Sequence, residues 1–375
     1  MDVKVKPSLL QGEMRPVSSK MGAHRALIIS ALANLKTEIE INNNSEEVRA
    51  TIACLKTLGA YLFTNANFIT VRPIDKERVD ISEIDFANSF NTLKFMLPII
   101  ATFNKTVEIT GERALQKKNL EQYLYRLKGI AFRGEKLPFI LSGKLLCGEY
   151  NIPTELGSQF ISGLIIALAT LDGVSTVNLI GTSGLTAINN TVELLKKFGV
   201  KIQEKESGYV IFGGEIISPE KLTIAEDKDY ANYVTAVQKL ASKKYDSGEV
   251  NVKSNFDMLV CTAITSVFSN SKTEIIFSDK LLEKEGERLT LFTNLLQKLG
   301  VKAQLEKTLV ITGAPNLKGG VIIDAYKDGS IAMALSILCA FAEEETTILG
   351  VENVLKNYPE FFNDLKDCGA NIVAL

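Results

Sequence analysis

The chain of 375 residues contains one histidine, His24. A histidine-built metal site is therefore excluded, and no serine–histidine nucleophile pair is read from it. The five cysteines (Cys54, Cys147, Cys261, Cys339 and Cys368) lie without C-x-x-C spacing, a pattern that fits a reducing cytoplasm and offers no zinc or dithiol motif. No apolar run reaches the length needed to span a bilayer; Ile161–Leu171 is among the longest. The opening Met1-Asp2-Val3-Lys4 lacks the apolar core of a secretion signal. The net charge is only −2, and aromatic residues do not interleave with basic ones, which argues against a nucleic-acid partner. The expectation is a soluble cytoplasmic chain with no membrane or nucleic-acid partner, in which any anion site is a local arrangement.

What is present is an ordinary globular balance, 46% hydrophobic and 23% charged residues, on a chain long enough for two or more domains. It is also repetitive. A helix end, a glycine and a strand recur at Gly59, Gly129, Gly199, Gly300 and Gly369, which lie 70, 70, 101 and 69 residues apart. Such glycines suit the left-handed turn that stops a helix before a strand. A second series interleaves with the first. Apolar helices are expected at Ala26–Ala33, Thr92–Phe103, Ser158–Leu171, Tyr230–Ala241, Met258–Phe268 and Ser330–Phe341. Each is followed by a β-prone strand: Thr37–Ile41, Thr106–Ile109, Thr176–Ile180, Glu249–Val252, Thr273–Phe277 and Thr346–Leu349. Six first halves meet five glycine-ended second halves, so one repeat, between Val252 and Asp257, is read as truncated. Six α/β units are most economically two domains of three. The expected boundaries are 1–18 with 228–375 for a discontinuous domain, and 19–227 for a domain inserted in it.

The first apolar helix is preceded by Ser18-Ser19-Lys20-Met21-Gly22-Ala23-His24-Arg25, read as a polar loop carrying Lys20 with Arg25 in the first helical turn. Two cations at a helix start make a phosphate or carboxylate site; the same pattern also describes an amphipathic helix with solvated charges on its entry loop.

Ser19-Lys20-Met21-Gly22-Ala23-His24-Arg25-Ala26-Leu27 is similar to S-K-S-x-S-x-R-A-L, and Gly157-Ser158-Gln159-Phe160-Ile161-Ser162-Gly163-Leu164 to S-S-Q-F-x-S-A-L. Lys284-Glu285-Gly286-Glu287-Arg288-Leu289 resembles K-E-[ST]-D-R-L, Ile331-Ala332-Met333-Ala334 follows the position of D-H-R-x-A-M-A, and Lys356-Asn357-Tyr358-Pro359-Glu360-Phe361-Phe362 resembles K-[ST]-[FY]-P-x-F-F. In this order the five segments resemble the enolpyruvyl transferases, and specifically the EPSP synthase family. The likeness covers nearly the whole chain. It implies an α/β (α+β) protein with the two-domain enolpyruvyl transferase fold, an inside-out α/β barrel of βαβαββ-type units with helices inside and substrates in the cleft between domains. It further implies transfer of the enolpyruvyl group of phosphoenolpyruvate to the 5-hydroxyl of shikimate 3-phosphate, the aromatic amino acid (shikimate) pathway, no cofactor, and a monomer.

The same resemblance assigns roles. Lys20, Asp257 and Glu285 would be catalytic, Asp257 as base toward the reacting hydroxyl and Glu285 as acid toward the enolpyruvyl methylene. Lys20, Arg25, Ser158, Gln159, Asp257 and Lys284 would bind shikimate 3-phosphate. Lys20, Lys94, Lys118, Arg288 and Lys356 would neutralise phosphoenolpyruvate. Without the resemblance, Ser158 and Gln159 read equally well as a helix cap and its neighbour, and Lys284–Arg288 as a solvated helix face.

The chain also departs from the family pattern. Met21 stands for a serine, Phe90 for a glycine, Lys94 and Lys118 for arginines, Gly184 and Ala187 for a serine and a tyrosine. Asp328-Gly329-Ser330 stands where D-H-R belongs. A lysine keeps the charge of an arginine but loses the planar fork that matches a carboxylate. Two alternatives therefore stand beside the EPSP synthase reading: an enolpyruvyl transferase with another acceptor, and a non-catalytic paralogue that binds an anion or a protein.

Overall fold

Among the described residues five of the six repeats form a four-stranded sheet in which a parallel edge pair is extended by two antiparallel strands, and in four of these sheets a buried helix joins the parallel pair. The computed structural model describes residues 1–12, 14, 16–65, 68–313 and 316–375. Contacts divide the chain into Lys20–Ala225 and a second unit of Met1–Ser19 with Glu226–Leu375. The first strand, β1 (Val3–Lys6), belongs to the second unit.

In chain order the unit Lys20–Ala225 contains α1 (Lys20–Leu32), β2 (Thr37–Glu40), α2 (Glu46–Thr57), β3 (Tyr61–Asn65) and β4 (Phe68–Arg72). It continues with β5 (Glu83–Asp85), α3 (Phe90–Ile100), β6 (Val107–Thr110), the short α4 (Arg113–Gln116) and α5 (Glu121–Leu124), β7 (Ile130–Arg133) and β8 (Phe139–Gly143). The third repeat supplies β9 (Glu149–Pro153), α6 (Ser158–Ala169), β10 (Gly173–Ile180), α7 (Leu185–Lys197), β11 (Lys201–Lys205) and β12 (Gly208–Gly213); β13 (Lys221–Thr223) returns to the first sheet. The sheet orders are β13-β2-β4-β3, β5-β6-β8-β7 and β9-β10-β12-β11.

The other unit has α8 (Lys228–Ala241), β14 (Gly248–Lys253), α9 (Phe256–Ser266), β15 (Lys272–Phe277), α10 (Asp279–Lys298), β16 (Lys302–Leu305) and β17 (Leu309–Thr312). After these come β18 (Ile322–Asp324), α11 (Gly329–Cys339), β19 (Thr346–Leu349), α12 (Glu352–Asn357), α13 (Phe361–Asp367) and β20 (Asn371–Ala374). Its sheets are β14-β15-β17-β16 and β18-β19-β1-β20, so β1 lies between β19 and β20 and pairs antiparallel with both. The strand expected at Glu249–Val252 is thereby reassigned. As β14 it pairs parallel to β15 and opens the following sheet, and the truncated repeat is left with α8 and no sheet of its own among the described residues.

The helices sort by their sequences. In α1, α6 and α11 the apolar residues occupy every face, and nearly every position beyond the first turn is buried. By contrast α2, α7 and α10 are amphipathic, bury one stripe, and carry lysine in the last turn, where it complements the helix dipole. At α6 and α3 the fit is tight enough that a Cβ on Gly163 would meet the Phe95 carbonyl at 2.1 Å. Buried apolar side chains form one cluster in each unit.

Candidate functional site

Helix α1 begins at Lys20 itself, because Lys20, Met21 and Ala23 are good helix formers and extend the apolar helix toward the N-terminus. The expected lysine-bearing loop is thus a first helical residue, and Arg25 lies in the second turn. Lys20 Nζ stands 2.6 Å from Glu47 Oε2, with both side chains largely buried. Glu47 sits in the first turn of α2, where a carboxylate is favoured, and its other oxygen accepts from Asn91 Nδ2 at 2.9 Å.

The start of α6 faces α3. Lys94 Nζ donates to Gln159 Oε1 at 2.9 Å, and Gln159 Nε2 points at Met21 Sδ, 4.0 Å away. The ring of Phe90 carries two ammonium groups, Lys94 Nζ at 4.9 Å and Lys118 Nζ at 5.4 Å from its centroid. Burial lowers the pKa of Lys94; Glu47 works against that lowering and Lys118 adds to it. Ser158 is half-buried beside Gly184, at which a Cβ would come within 3.2 Å of Ser158 Cβ. Lys20, Lys94, Lys118, Ser158 and Gln159 thus gather on α1, α3, α6 and the loop after α4.

Arg25 is the exception. It is 3% exposed, and its guanidinium donates to Thr191 Oγ1 at 2.6 Å and to the carbonyls of Met21 and Ala187 at 2.8 Å each. Its face lies over the Phe95 ring, 5.3 Å from the centroid, and burial lowers its pKa to about 10. The resemblance implies that Arg25 holds a substrate anion; in this structure the side chain ties α1 to α7 inside the unit. Its neighbour His24 is wholly buried, with Nδ1 2.7 Å from Thr51 Oγ1, and burial with help from Lys20 and Arg25 lowers its pKa to about 3. The one imidazole is a neutral core group.

In the other unit a cavity of about 470 Å³ is lined by Asp257, Arg288, Asp328, Gly329, Ser330 and Lys356, with Asp229, Tyr230, Lys327, Met333 and Asn353. Asp257 stands in the first turn of α9, capped by the Asn255 side chain, which accepts from the Met258 amide at 2.7 Å. Tyr233 of α8 donates its hydroxyl to Asp257 Oδ1 at 2.6 Å. Burial raises the Asp257 pKa, the bonds from Tyr233 and Ser330 restrain the rise, and Asp229 adds to it. Burial and Asp227 raise Asp229 as well.

Arg288 lies against the Phe256 ring at 3.8 Å and grips Asp328 with two donors, Nε at 2.5 Å and Nη2 at 3.0 Å. Its Nη1 donates to Glu285 Oε2 at 2.8 Å, and Lys284 Nζ stands 3.1 Å from Glu285 Oε1. Burial tends to raise the Glu285 pKa, but the bonds to Arg288 and Lys284 prevail and hold it below its ordinary value. Asp257, Arg288 and Lys356 share the cavity; Glu285 and Lys284 join it through Arg288.

Sequence reasoning missed Glu47, Asn91, Asp229, Tyr233 and Lys327. Each is an ordinary polar residue in its own segment, and its partner lies tens of residues away, so no local pattern marks it. Among the described residues no group of three or more His, Cys, Asp or Glu side chains is arranged to hold a metal ion, and no helix is long and apolar enough to cross a membrane.

Solved structures share this architecture. The superposition on EPSP synthase from Acinetobacter baumannii has a TM-score of 0.82 at 16% identity and covers 100% of both chains. That on the enolpyruvyl transferase NikO from Streptomyces tendae has a TM-score of 0.69 at 14% identity and covers 99% of this chain and 98% of that one. The fold is that of the enolpyruvyl transferases. Sequence relatives narrow it further. The 3-phosphoshikimate 1-carboxyvinyltransferase of Clostridium acetobutylicum is 29% identical over 99% of this chain and 98% of its own, and that of Korarchaeum cryptofilum 27% identical over 99% of each. The family model for EPSP synthase (3-phosphoshikimate 1-carboxyvinyltransferase) matches residues 4–243 and 231–365, and the chain belongs to that family.

Proposed function

We propose that this chain transfers the enolpyruvyl group of phosphoenolpyruvate to the 5-hydroxyl of shikimate 3-phosphate, releasing phosphate. The observation that carries this reading is the cavity in which the raised carboxyl of Asp257 stands with Arg288 and Lys356, on a chain of this family. The acceptor oxygen adds to C2 of phosphoenolpyruvate while C3 takes a proton; loss of a C3 proton then expels phosphate. Asp257 takes the hydroxyl proton. A buried carboxylate with a raised pKa is a stronger base than an exposed one, and the phenol of Tyr233 orients it.

Glu285 is the proton donor to C3 in this reading, with a requirement that the structure exposes. Arg288 and Lys284 hold it ionised, so it becomes an acid only when Arg288 exchanges it for a substrate anion. Lys20, Lys94, Lys118, Arg288 and Lys356 are assigned to phosphoenolpyruvate, and Lys20, Ser158, Gln159, Asp257 and Lys284 to shikimate 3-phosphate. The reading is of a cytoplasmic monomer acting on small molecules.

The contact of Gln159 with the Met21 thioether, where the family has a hydroxyl, favours one second reading, an altered acceptor. The test is phosphate release from phosphoenolpyruvate with and without shikimate 3-phosphate, in wild type and Glu285→Gln. Acceptor-dependent release that falls by roughly two orders of magnitude in the variant supports the assignment. Release with a different hydroxyl acceptor only would move it to the second reading, and no release with any acceptor would sink both.

A further inference from the structure

Three departures from the family pattern, a phenylalanine for a glycine and two lysines for arginines, are separate losses in the sequence and one contact set in the structure. Phe90 opens α3, Lys94 follows one turn later, and Lys118 comes from the loop after α4. Both ammonium groups lie over the Phe90 ring, at 4.9 and 5.4 Å. The ring itself is fixed: Tyr123 meets it edge-on with centroids 6.2 Å apart, and Tyr123 packs on Phe160 of α6 at 5.1 Å. Lys94 is also held from the other side by Gln159 Oε1.

We infer that Phe90 is a positioning residue that fixes the Lys94 and Lys118 ammonium groups for anion binding, replacing the rigidity lost with the two arginines. An arginine fork is pre-organised by its planarity, whereas a lysine is a point charge on a flexible stem. A ring face within 6 Å attracts an ammonium electrostatically, and this ring attracts two. Two like charges brought together repel, and Lys118 indeed contributes to the lowered pKa of Lys94. A bound phosphate or carboxylate relieves that repulsion, so the ring holds a pair of cations in a state that an anion stabilises. The inference rests on the functional reading only in naming phosphoenolpyruvate as the anion.

The experiment compares wild type, Phe90→Leu, which keeps bulk without a quadrupole, and Phe90→Tyr, which keeps both. Carbon–proton NMR of the lysine ε-methylenes reads the geometry without any turnover, because a ring within about 6 Å shifts these signals upfield. Titration with inorganic phosphate and with phosphoenolpyruvate reads the function. The expected result is ring-shifted Lys94 and Lys118 signals in wild type and Phe90→Tyr that revert in Phe90→Leu. Affinity for both anions should fall roughly fivefold or more in Phe90→Leu alone, while kcat at saturation stays near that of wild type. Ring-shifted signals with unchanged affinity would overturn the inference and leave Phe90 as packing, and so would the absence of ring shifts in wild type. Anion binding that behaves as expected without acceptor-dependent phosphate release would instead sink the transferase reading and leave the cation pair standing.

Discussion

The hydroxyl of Tyr233 sits 2.6 Å from Asp257 Oδ1, joining α8, the remnant of the truncated repeat, to the first turn of α9. It also donates toward the Ser330 carbonyl at 3.2 Å. Burial raises the Asp257 pKa, and this bond restrains the rise. In Tyr233→Phe the acidic limb of the kcat/KM–pH profile should therefore move to higher pH. In Asp257→Asn, kcat should fall roughly 10²- to 10⁴-fold. The sign for stability is opposite to the sign for activity. A carboxyl whose folded pKa is raised favours the protonated fold, so its contribution is complete below the unfolded pKa and is lost as pH rises through the folded one. Asp257→Asn should be more stable than wild type at pH 7 and equal to it at strongly acidic pH. Thermal midpoints at the two pH values check this.

His24 titrates the other unit. Its pKa is lowered to about 3 by burial and by Lys20 and Arg25, so the fold holds the neutral ring. The unfolded chain takes up a proton near pH 6.5 while the folded chain does not, and stability falls as pH drops from about 6.5 toward 3. Between pH 7 and pH 5 the loss is about 2 kcal/mol. Urea midpoints should show it in wild type, and His24→Gln should flatten that slope while costing some stability at pH 7.

Arg25 is expected to act on folding rather than on binding. With three donors spent on Thr191, Met21 and Ala187, Arg25→Met should cost about 2–4 kcal/mol of stability. The KM values of the protein that remains folded should stay within about twofold of wild type. A large rise in KM without loss of stability would return Arg25 to the substrate contacts.

Lys327 stands where a missing cation would be replaced. Tyr326 and Lys327 are consecutive left-handed residues at φ 50° and 62°, a conformation that costs a side-chain-bearing residue energy, and Asn353 Nδ2 holds the Lys327 carbonyl at 2.5 Å. Lys327 lines the same cavity as Arg288 and Lys356, three residues before the serine that occupies a family arginine position. Its ion pair with Glu352, 3.2 Å, is exposed and therefore weak. Lys327→Met should raise the KM for phosphoenolpyruvate roughly tenfold with little change in kcat, and Ser330→Arg should offset the loss in the double variant.

The repeat was legible because it is written in local patterns. Apolar runs such as Ser158–Leu171 place buried helices, and Gly59, Gly129, Gly199, Gly300 and Gly369 all adopt positive φ where the pattern stops a helix. Lys20 and Arg288 were singled out through motif order and Asp257 through the family resemblance, and their roles stand as proposals. What escaped were relationships set by packing across distant segments: Glu47 with Lys20, Tyr233 with Asp257, Asp328 with Arg288. A motif position likewise says nothing about whether Thr191 lies within 2.6 Å of Arg25. The strand at Glu249–Val252 was correctly β-prone but assigned to the wrong repeat, because a strand's sequence does not name its neighbour.

The placement of β1 sets an order of events during synthesis. Val3–Lys6 pairs with Thr346–Ile348 on one side and Asn371–Ala374 on the other, more than 340 residues later. The unit Lys20–Ala225 draws all its described strands from within its own span and can fold as it emerges from the ribosome, whereas β1 must wait, unpaired, until Thr346–Ala374 has been made. Its alternation of buried Val3 and Val5 with Lys4 and Lys6 gives the waiting segment two charges that discourage edge-to-edge association with another nascent chain.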